Sequence, residues 1–176
     1  MAAATVPFVT VAEYLSEAYE PDVDYVDGVL EDRNVGEFDH ARIQRALLFA
    51  LAKHETHFRY FVVQELRVQI SKTRYRVPDT CLLSNDHLTG QIVIQPPLLC
   101  IEVLSPNDRF ACVRTKCQDY LRLGVPEVWT FDPESRAAFT LRGDTMTEHR
   151  RGSLKHQSLG LELALGDVFG ILDQRK

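Results

Sequence analysis

Two carboxylates stand in segments where a negative charge is costly. Asp79 follows Pro78 inside a strand-like segment, and Glu102 is the one charged residue of the apolar run 97–106. A carboxylate in a buried strand is unfavourable unless it is paired or binds a cation. If the two strands are neighbours, the pair predicts a site for Mg²⁺ or Mn²⁺, which prefer such hard oxygen ligands. A metal there could promote phosphodiester hydrolysis, because it lowers the pKa of a bound water and neutralises charge on the phosphate oxygens.

Lys116 is the third candidate for this chemistry. It belongs to a predicted helix, 110–123, that directly follows the Glu102 strand. An early turn of such a helix can place a side chain across the end of the preceding strand, where a lysine would orient water or stabilise the transition state. Taken alone, Lys116 also fits a solvated helix lysine.

Capping, turn and periodicity signals divide the chain into short elements. Thr10 and Glu13 form a capping box. Asp27-Gly28 indicates a hairpin, and Asp39 suits a helix N-cap. The predicted elements are helix 11–18, hairpin 23–32, helix 40–57, strands 61–70, 74–84 and 97–106, helix 110–123, strand 127–133, hairpin strands 137–143 and 145–151, and a short strand with an apolar turn in 159–172.

From residue 40 the predicted order is helix, three strands, helix, strand, or αβββαβ. The helix between the third and fourth strands allows that pair to be parallel through a right-handed crossover. Pro78 places strand 74–84 at a sheet edge or interrupts it. We therefore expect an α/β (α+β) fold with a central mixed sheet flanked by helices, an N-terminal hairpin and a C-terminal hairpin extension.

Composition favours a soluble protein with one domain. The 176 residues are 45% hydrophobic and 26% charged, enough to bury a core without disulfides. We expect a single domain over 1–176, with its core at about 40–133. No run is long enough for a membrane span, and no secretory signal is evident. The four cysteines form no CxxC pair, which favours reduced thiols in the cytoplasm.

The charge is unevenly distributed along the chain. The net charge is −5, but residues 1–39 hold ten acids and one base, Arg33, whereas residues 40–176 carry a balance of +4. The basic main body weakens the objection to a nucleic-acid substrate. Arg74 and Arg76, before Asp79, could contact phosphates or simply belong to an exposed hairpin. Arg109 and Arg114, near the start of helix 110–123, are further candidates for nucleic-acid binding.

Several of these residues together carry a family resemblance. The relevant segments are Pro78-Asp79, Glu102-Val103-Leu104-Ser105-Pro106, Lys116 with Tyr120, Gly124-Val125-Pro126-Glu127-Val128-Trp129, and Asp132-Pro133. In these segments the chain resembles the putative restriction endonuclease family that is common in cyanobacteria and other bacteria, within the PD-(D/E)XK nuclease superfamily. The resemblance covers about residues 11–172.

The resemblance implies roles for particular residues. Asp79 and Glu102 would bind the metal, and the main-chain carbonyl of Val103 would be a further ligand. The usual superfamily lysine position is Leu104 here, but the family places a lysine on the next helix, where Lys116 matches it. His40, at the start of the first core helix, would contact the scissile phosphate or a water. The implied activity is a Mg²⁺-dependent endodeoxyribonuclease.

Two departures from the family pattern keep other functions open. Asp24 and Val29 stand where the family often has glutamates in the N-terminal hairpin. These changes favour the alternative of a catalytically inactive module that binds DNA or a protein. A hydrolase of small phosphoesters is a weaker third hypothesis. For an active endonuclease, double-strand cleavage would need two sites, which a homodimer supplies, and the hairpin at 137–151 is one candidate dimer surface.

Overall fold

The computed structural model describes residues 8–33, 37–86 and 90–174. Five α-helices lie in these ranges: α1 Val11–Ser16, α2 Phe38–Ala52, α3 Glu55–Phe58, α4 Phe110–Leu123 and α5 Leu165–Phe169. The strands are β1 Val23–Val26, β2 Val29–Asp32, β3 Tyr60–Val63, β4 Val68–Ser71, β5 Arg74–Arg76, β6 Thr80–Ser84, β7 Leu99–Val103, β8 Val128–Asp132, β9 Ala137–Arg142, β10 Thr145–His149, β11 Ser153–His156 and β12 Leu161–Ala164. A 3₁₀ turn, Gly170–Asp173, follows α5.

The central sheet has six strands in the order β10-β9-β8-β7-β6-β3. Strands β7 and β8 are parallel and are connected through α4, whereas the other neighbouring pairs are antiparallel. Helix α2, strands β3, β6 and β7, helix α4 and strand β8 reproduce the predicted αβββαβ order. The predicted class, a mixed sheet flanked by helices, is confirmed.

Both faces of the central sheet are covered. One face packs against α2 and α5, with Leu47 of α2 and Trp129 of β8 fully buried among its side chains. The other face packs against α4 through Cys117 and Tyr120. All five residues of β7 are buried, which explains its continuous apolar sequence. Glu102 is therefore held inside the molecule by its own strand.

A second sheet carries the N-terminal hairpin. Its strand order is β2-β1-β5-β4, and a cluster including Tyr14, Tyr25 and Tyr75 packs beneath it. Strand β5 ends at Arg76, and β6 begins at Thr80 in the central sheet. The predicted interruption at Pro78 is thus the point where the chain changes sheets.

The predicted helix 40–57 was wrong at both ends. Helix α2 begins at Phe38 with Glu37 as its N-cap, so Asp39 lies in the first turn, where a carboxylate favours the positive end of the helix dipole. The helix ends at Ala52, and the hydroxyl of Tyr60 donates to the carbonyl of Leu51 at 2.8 Å. The same carbonyl accepts from the backbone N–H of His54 at 3.0 Å, so both bonds fix the last turn of the helix to the segment that follows it.

The predicted strand 61–70 was wrong in its continuity. Strands β3 and β4 belong to different sheets, and Glu65 between them has a φ of 51°. A left-handed residue turns the chain out of an extended strand. Alternating hydrophobicity continued through the turn and concealed it. Strand β11, which pairs with β12, was also not predicted.

In the part of the chain that the structure describes, no helix is long and apolar enough to cross a bilayer.

Candidate functional site

The register between β6 and β7 brings the two predicted carboxylates side by side. Thr80 pairs with Ile101 across these antiparallel strands, so the next step of the same register places Asp79 opposite Glu102. Asp79 is 4% exposed and Glu102 is 6% exposed. Both line a cavity of about 120 Å³, which we call the carboxylate cavity. The other predicted site residues Val103, Lys116 and His40 also line it.

Asp79 is held by three donors. The guanidinium of Arg33 lies 2.8 Å from its Oδ1, the N–H of Val103 donates to its Oδ2 at 2.7 Å, and His40 Nε2 lies 3.4 Å from the same oxygen. Burial alone would raise the pKa of Asp79. The hydrogen bond with His40 and the surrounding positive charges outweigh burial and hold that pKa below its usual value. Asp79 is therefore ionised at neutral pH.

Glu102 has fewer partners than Asp79, and its pKa is shifted in the opposite direction. Its carboxylate accepts a hydrogen bond from the Tyr120 hydroxyl at 2.6 Å and lies 3.0 Å from Lys116 Nζ. Burial raises the pKa of Glu102 to about 7, and the charge of Asp79 adds to the rise while Lys116 opposes it. Glu102 therefore gains or loses its proton close to neutral pH.

Lys116 reaches the cavity from the second turn of α4. Its Nζ donates to the carbonyl of Val77 at 2.9 Å and lies 3.5 Å from Asp24. Burial alone would lower the pKa of Lys116, but the charges of Asp24 and Glu102 raise it above its usual value. The lysine thus stays protonated beside the two strands, where the sequence predicted it.

His40 lies on α2 and is 8% exposed. Burial would lower its pKa, but the hydrogen bond with Asp79 and the charge of Asp79 raise it overall. Its Nδ1 is buried and has no hydrogen-bond partner among the described residues. A histidine held in this way offers one nitrogen to Asp79 and keeps the other for a further partner.

The donor set fits a small divalent cation. In residues 8–33, 37–86 and 90–174, no cluster of three or more His, Cys, Asp or Glu side chains is arranged as a metal site. Mg²⁺, however, commonly takes only one or two protein carboxylates and completes its shell with water and phosphate. Asp79 already binds a cationic group, Arg33, and Glu102 lies 3.0 Å from Lys116 Nζ. Both carboxylates are therefore placed to accept positive charge, and their oxygens are the ligands that would hold a divalent cation.

The four arginines proposed for nucleic-acid contact fall into two groups. Arg76 is 3% exposed, and its guanidinium binds Asp24, Glu31 and Asp119. Arg74 binds Asp27 and Asp119. Arg109 and Arg114 are exposed and have no ion pair with another described residue. Nucleic-acid contact remains a prediction for all four. Arg109 and Arg114 are more accessible to a nucleic acid than Arg74 and Arg76 are.

Sequence reasoning missed Arg33 as a site residue. Its guanidinium is buried against Asp79, between the N-terminal hairpin and the central sheet. A signal was present, because Arg33 is the only base among the first 39 residues. Sequence reasoning also missed the buried Asp119, whose place in the polar run of α4 gave no sign of burial.

The fold resembles that of solved protein structures. A putative nuclease belonging to DUF820 from Anabaena variabilis superposes with a TM-score of 0.84, covering 93% of this chain and 99% of that chain at 21% identity. A chain of the DrdV–DNA complex matches with a TM-score of 0.43 at 12% identity, covering 76% of this chain and 11% of that chain. A search of curated proteins gave no match. The chain therefore shares the fold of the DUF820 protein.

The sequence also matches a family directly. Residues 11–169 match the Uma2 family, described as putative restriction endonuclease. This match spans nearly the whole chain, and the chain belongs to the Uma2 family. The family resemblance that the sequence motifs carried is confirmed.

Proposed function

We propose that this chain is a Mg²⁺-dependent endonuclease that hydrolyses phosphodiester bonds of DNA. The observation that carries the proposal is the convergence of Asp79, Glu102 and Lys116 on one cavity from two adjacent strands and the following helix. The family match and the nuclease fold support it.

Each site residue has a role in this proposal. Asp79, Glu102 and the carbonyl of Val103 would hold the metal. When bound, magnesium supplies an activated water and positive charge at the phosphate. Lys116 keeps its proton between Asp24 and Glu102, so its ammonium can orient the attacking water or stabilise charge on the phosphate. His40 can donate to the same phosphate or to a water.

The first experiment is calorimetric titration of Mg²⁺ or Mn²⁺ into the wild type and into the Asp79→Ala/Glu102→Ala variant. Saturable binding that only this variant loses would assign the cation to the two carboxylates. The matched control is Asp144→Ala/Glu148→Ala, which removes the same charge from exposed positions of the C-terminal hairpin. Cleavage of plasmid, single-stranded DNA and RNA then tests the substrate.

Lys116→Met separates catalysis from metal binding. The variant is expected to lower kcat by about 10² to 10³, the usual loss when one stabilising donor is removed, while metal binding persists. Unchanged cleavage in Lys116→Met would contradict the role assigned to the lysine.

A second candidate function is an inactive module that binds DNA or a protein. The ion pair between Arg33 and Asp79 favours it, because an internal cation already neutralises a proposed metal ligand. Such a module would bind its partner in the presence of EDTA and show no saturable metal binding.

A homodimer fits the endonuclease proposal, since two active sites are needed to cut two strands. Sedimentation of the wild type, with and without DNA, tests this assembly directly.

A further inference from the structure

The exposed face of α2 alternates aromatic and basic side chains. Phe38, Arg42, Arg45 and Phe49 are separated by four, three and four residues, a spacing that places them along one helix face. We call these four residues the α2 stripe; it is about 16 Å long. Phe38 is 62% exposed and Phe49 is 63% exposed. The stripe is therefore separate from the apolar face by which α2 joins the core.

Each arginine of the stripe lies over a phenylalanine ring. The guanidinium carbon of Arg42 is 5.4 Å from the Phe38 ring centre, and that of Arg45 is 5.4 Å from the Phe49 ring centre. Neither arginine forms an ion pair with another described residue. This contrasts with Arg74 and Arg76, whose charges are bound by carboxylates. The stripe thus presents two positive charges and two flat apolar rings to its surroundings.

The stripe leads to the carboxylate cavity. Phe38 lines a second cavity of about 540 Å³ that shares His40, Leu104 and Ser105 with the carboxylate cavity. His40, on the side of α2 opposite the stripe, lines both cavities and contacts Asp79. The second cavity therefore connects the Phe38 end of the stripe with the site.

The composition of this surface matches an unpaired nucleic-acid strand. Proteins bind single strands by placing basic groups along the phosphates and aromatic rings against the faces of bases. A duplex hides those faces inside its stack. Among the described residues, the second cavity is lined by five acids and by no lysine or arginine; the acids are Glu37, Asp39, Asp108, Asp132 and Glu134. Such a lining repels phosphate and offers acceptors to the amino groups of a base, so we expect bases rather than phosphates to enter this cavity.

A second copy of this chain fits the stripe less well. In a twofold contact the same surface meets itself, so in a contact centred on the stripe Arg42 of one copy would face Arg45 of the other. Like charges in such a contact are unfavourable. The charge of the stripe instead complements phosphate.

We propose that the α2 stripe binds an unpaired DNA strand and directs it to the carboxylate cavity, so that the preferred substrates contain single-stranded segments. This inference rests on the proposed nuclease function, of which it specifies the substrate class.

The test is fluorescence anisotropy in EDTA with a labelled single-stranded oligonucleotide and with a duplex of the same sequence. The variants are Phe38→Ala/Phe49→Ala and Arg42→Gln/Arg45→Gln. The control is Phe61→Ala/Arg151→Gln, which changes the same residue types at exposed positions outside the stripe. Thermal melting verifies that each variant is folded.

The wild type is expected to bind the single strand more tightly than the duplex. The phenylalanine variant should lose about tenfold or more of that affinity. The arginine variant should weaken binding and reduce the salt slope by about 1.4, the value for two phosphate contacts on a single strand. The control should bind as the wild type does.

Two outcomes overturn the inference. Either the stripe variants bind the single strand as tightly as the control does, or they change only the sedimentation of the protein, which would assign the stripe to a second copy. Because binding is measured without metal, the result is independent of catalysis. Suppose that the stripe variants lose binding and that the cleavage rate is the same in Asp79→Ala as in the wild type. This result would support the strand-binding site while refuting the nuclease proposal.

Discussion

At the scale of single residues, the carboxylate cavity holds more negative than positive side chains. Among the described residues, six acids line it, whereas the basic residues that line it are Arg33, Arg76, Lys116 and His40. The pKa values of Glu102, Lys116 and His40 are all raised, although burial pushes the last two downward. Lys116 and His40 therefore hold their protons more tightly because of nearby negative charge, whereas burial is the main cause of the raised pKa of Glu102. A cation entering this cavity would offset the negative charge.

Arg33 competes with any metal for Asp79. Its guanidinium lies 2.8 Å from Oδ1 of Asp79 and is mostly buried. Replacing Arg33 by Gln removes the competing charge, and we expect Mn²⁺ affinity to rise by roughly tenfold, the effect of one nearby charge. Calorimetric titration of wild type and variant measures the change.

The matched control for this experiment is Arg150→Gln, which breaks an exposed ion pair with Glu148. It should leave the metal affinity unchanged. Equal or weaker Mn²⁺ binding by the Arg33 variant would show that Arg33 does not compete for the site.

Glu102 gives the metal-free protein a distinctive pH dependence. Its pKa rises from 4.5 to about 7 on folding, so between these values the folded state binds more protons than the unfolded state. Stability therefore falls as pH rises through this window, by roughly 3 kcal/mol in total. Glu102→Gln removes this contribution and should be more stable than the wild type at pH 8 but not at pH 4.5.

Urea unfolding across this pH range in EDTA measures the effect. The raised pKa of His40 gives a decline of the same sign, so the decisive quantity is the difference between wild type and variant. A difference that does not change with pH would contradict the shift assigned to Glu102.

At the scale of elements, an ion-pair network joins the N-terminal hairpin, β5 and α4. Asp119 of α4 is completely buried and binds Arg74 and Arg76 of β5. Arg76 also binds Asp24 of β1, and Asp24 lies beside Lys116. The network fixes the second sheet against the helix that carries Lys116. Arg76 thus positions the elements around the cavity.

Asp119→Asn tests this network. The change leaves Arg76 buried without its full complement of negative charge, and removing one partner of a buried pair costs about 3 kcal/mol or more. The free energy of unfolding in urea should fall by about that amount. Asp173→Asn, which breaks an exposed pair with Arg136, should cost less than about 1 kcal/mol. Similar losses in both variants would show that the buried network contributes no special stability.

At the scale of the whole molecule, folding neutralises the charge asymmetry of the sequence. The acidic N-terminal segment binds bases of the main body through Asp22 with Arg67, Asp24 with Arg76, and Asp27 with Arg74. The basic balance of residues 40–176 is therefore partly used inside the molecule. The basic surface left for a polyanion comes from other arginines, including those of α2 and α4.

Metal binding should stabilise the entire fold. A ligand at about 100 times its Kd adds about 2.7 kcal/mol to the stability of the state that binds it. For a chain of this size, saturating Mn²⁺ should raise Tm by about 5 to 10 °C at pH 8. Asp79→Ala/Glu102→Ala should show no rise. An equal rise in the variant would place the cation elsewhere.

The sequence by itself determined the order of the core elements and the candidate carboxylates. Local signals were sufficient, because the capping box at Thr10, the turn at Asp27-Gly28 and the boundaries of α4 depend on neighbouring residues. The apolar run around Glu102 similarly predicted a strand buried on both faces. Motifs in the same segments carried the family resemblance.

Only the tertiary structure decided which charges meet. Arg33 and Asp79 are 46 residues apart, and Arg76 and Asp119 are 43 apart, so no local pattern specifies either pair. The break between β3 and β4 was equally hidden, because β3 pairs with β6 of the central sheet whereas β4 pairs with the adjacent β5 of the second sheet. Burial and ion pairing depend on how the two sheets pack around α4. That packing places Arg33 on a proposed metal ligand and buries Arg76, while Arg42 and Arg45 stay beside the exposed rings of α2.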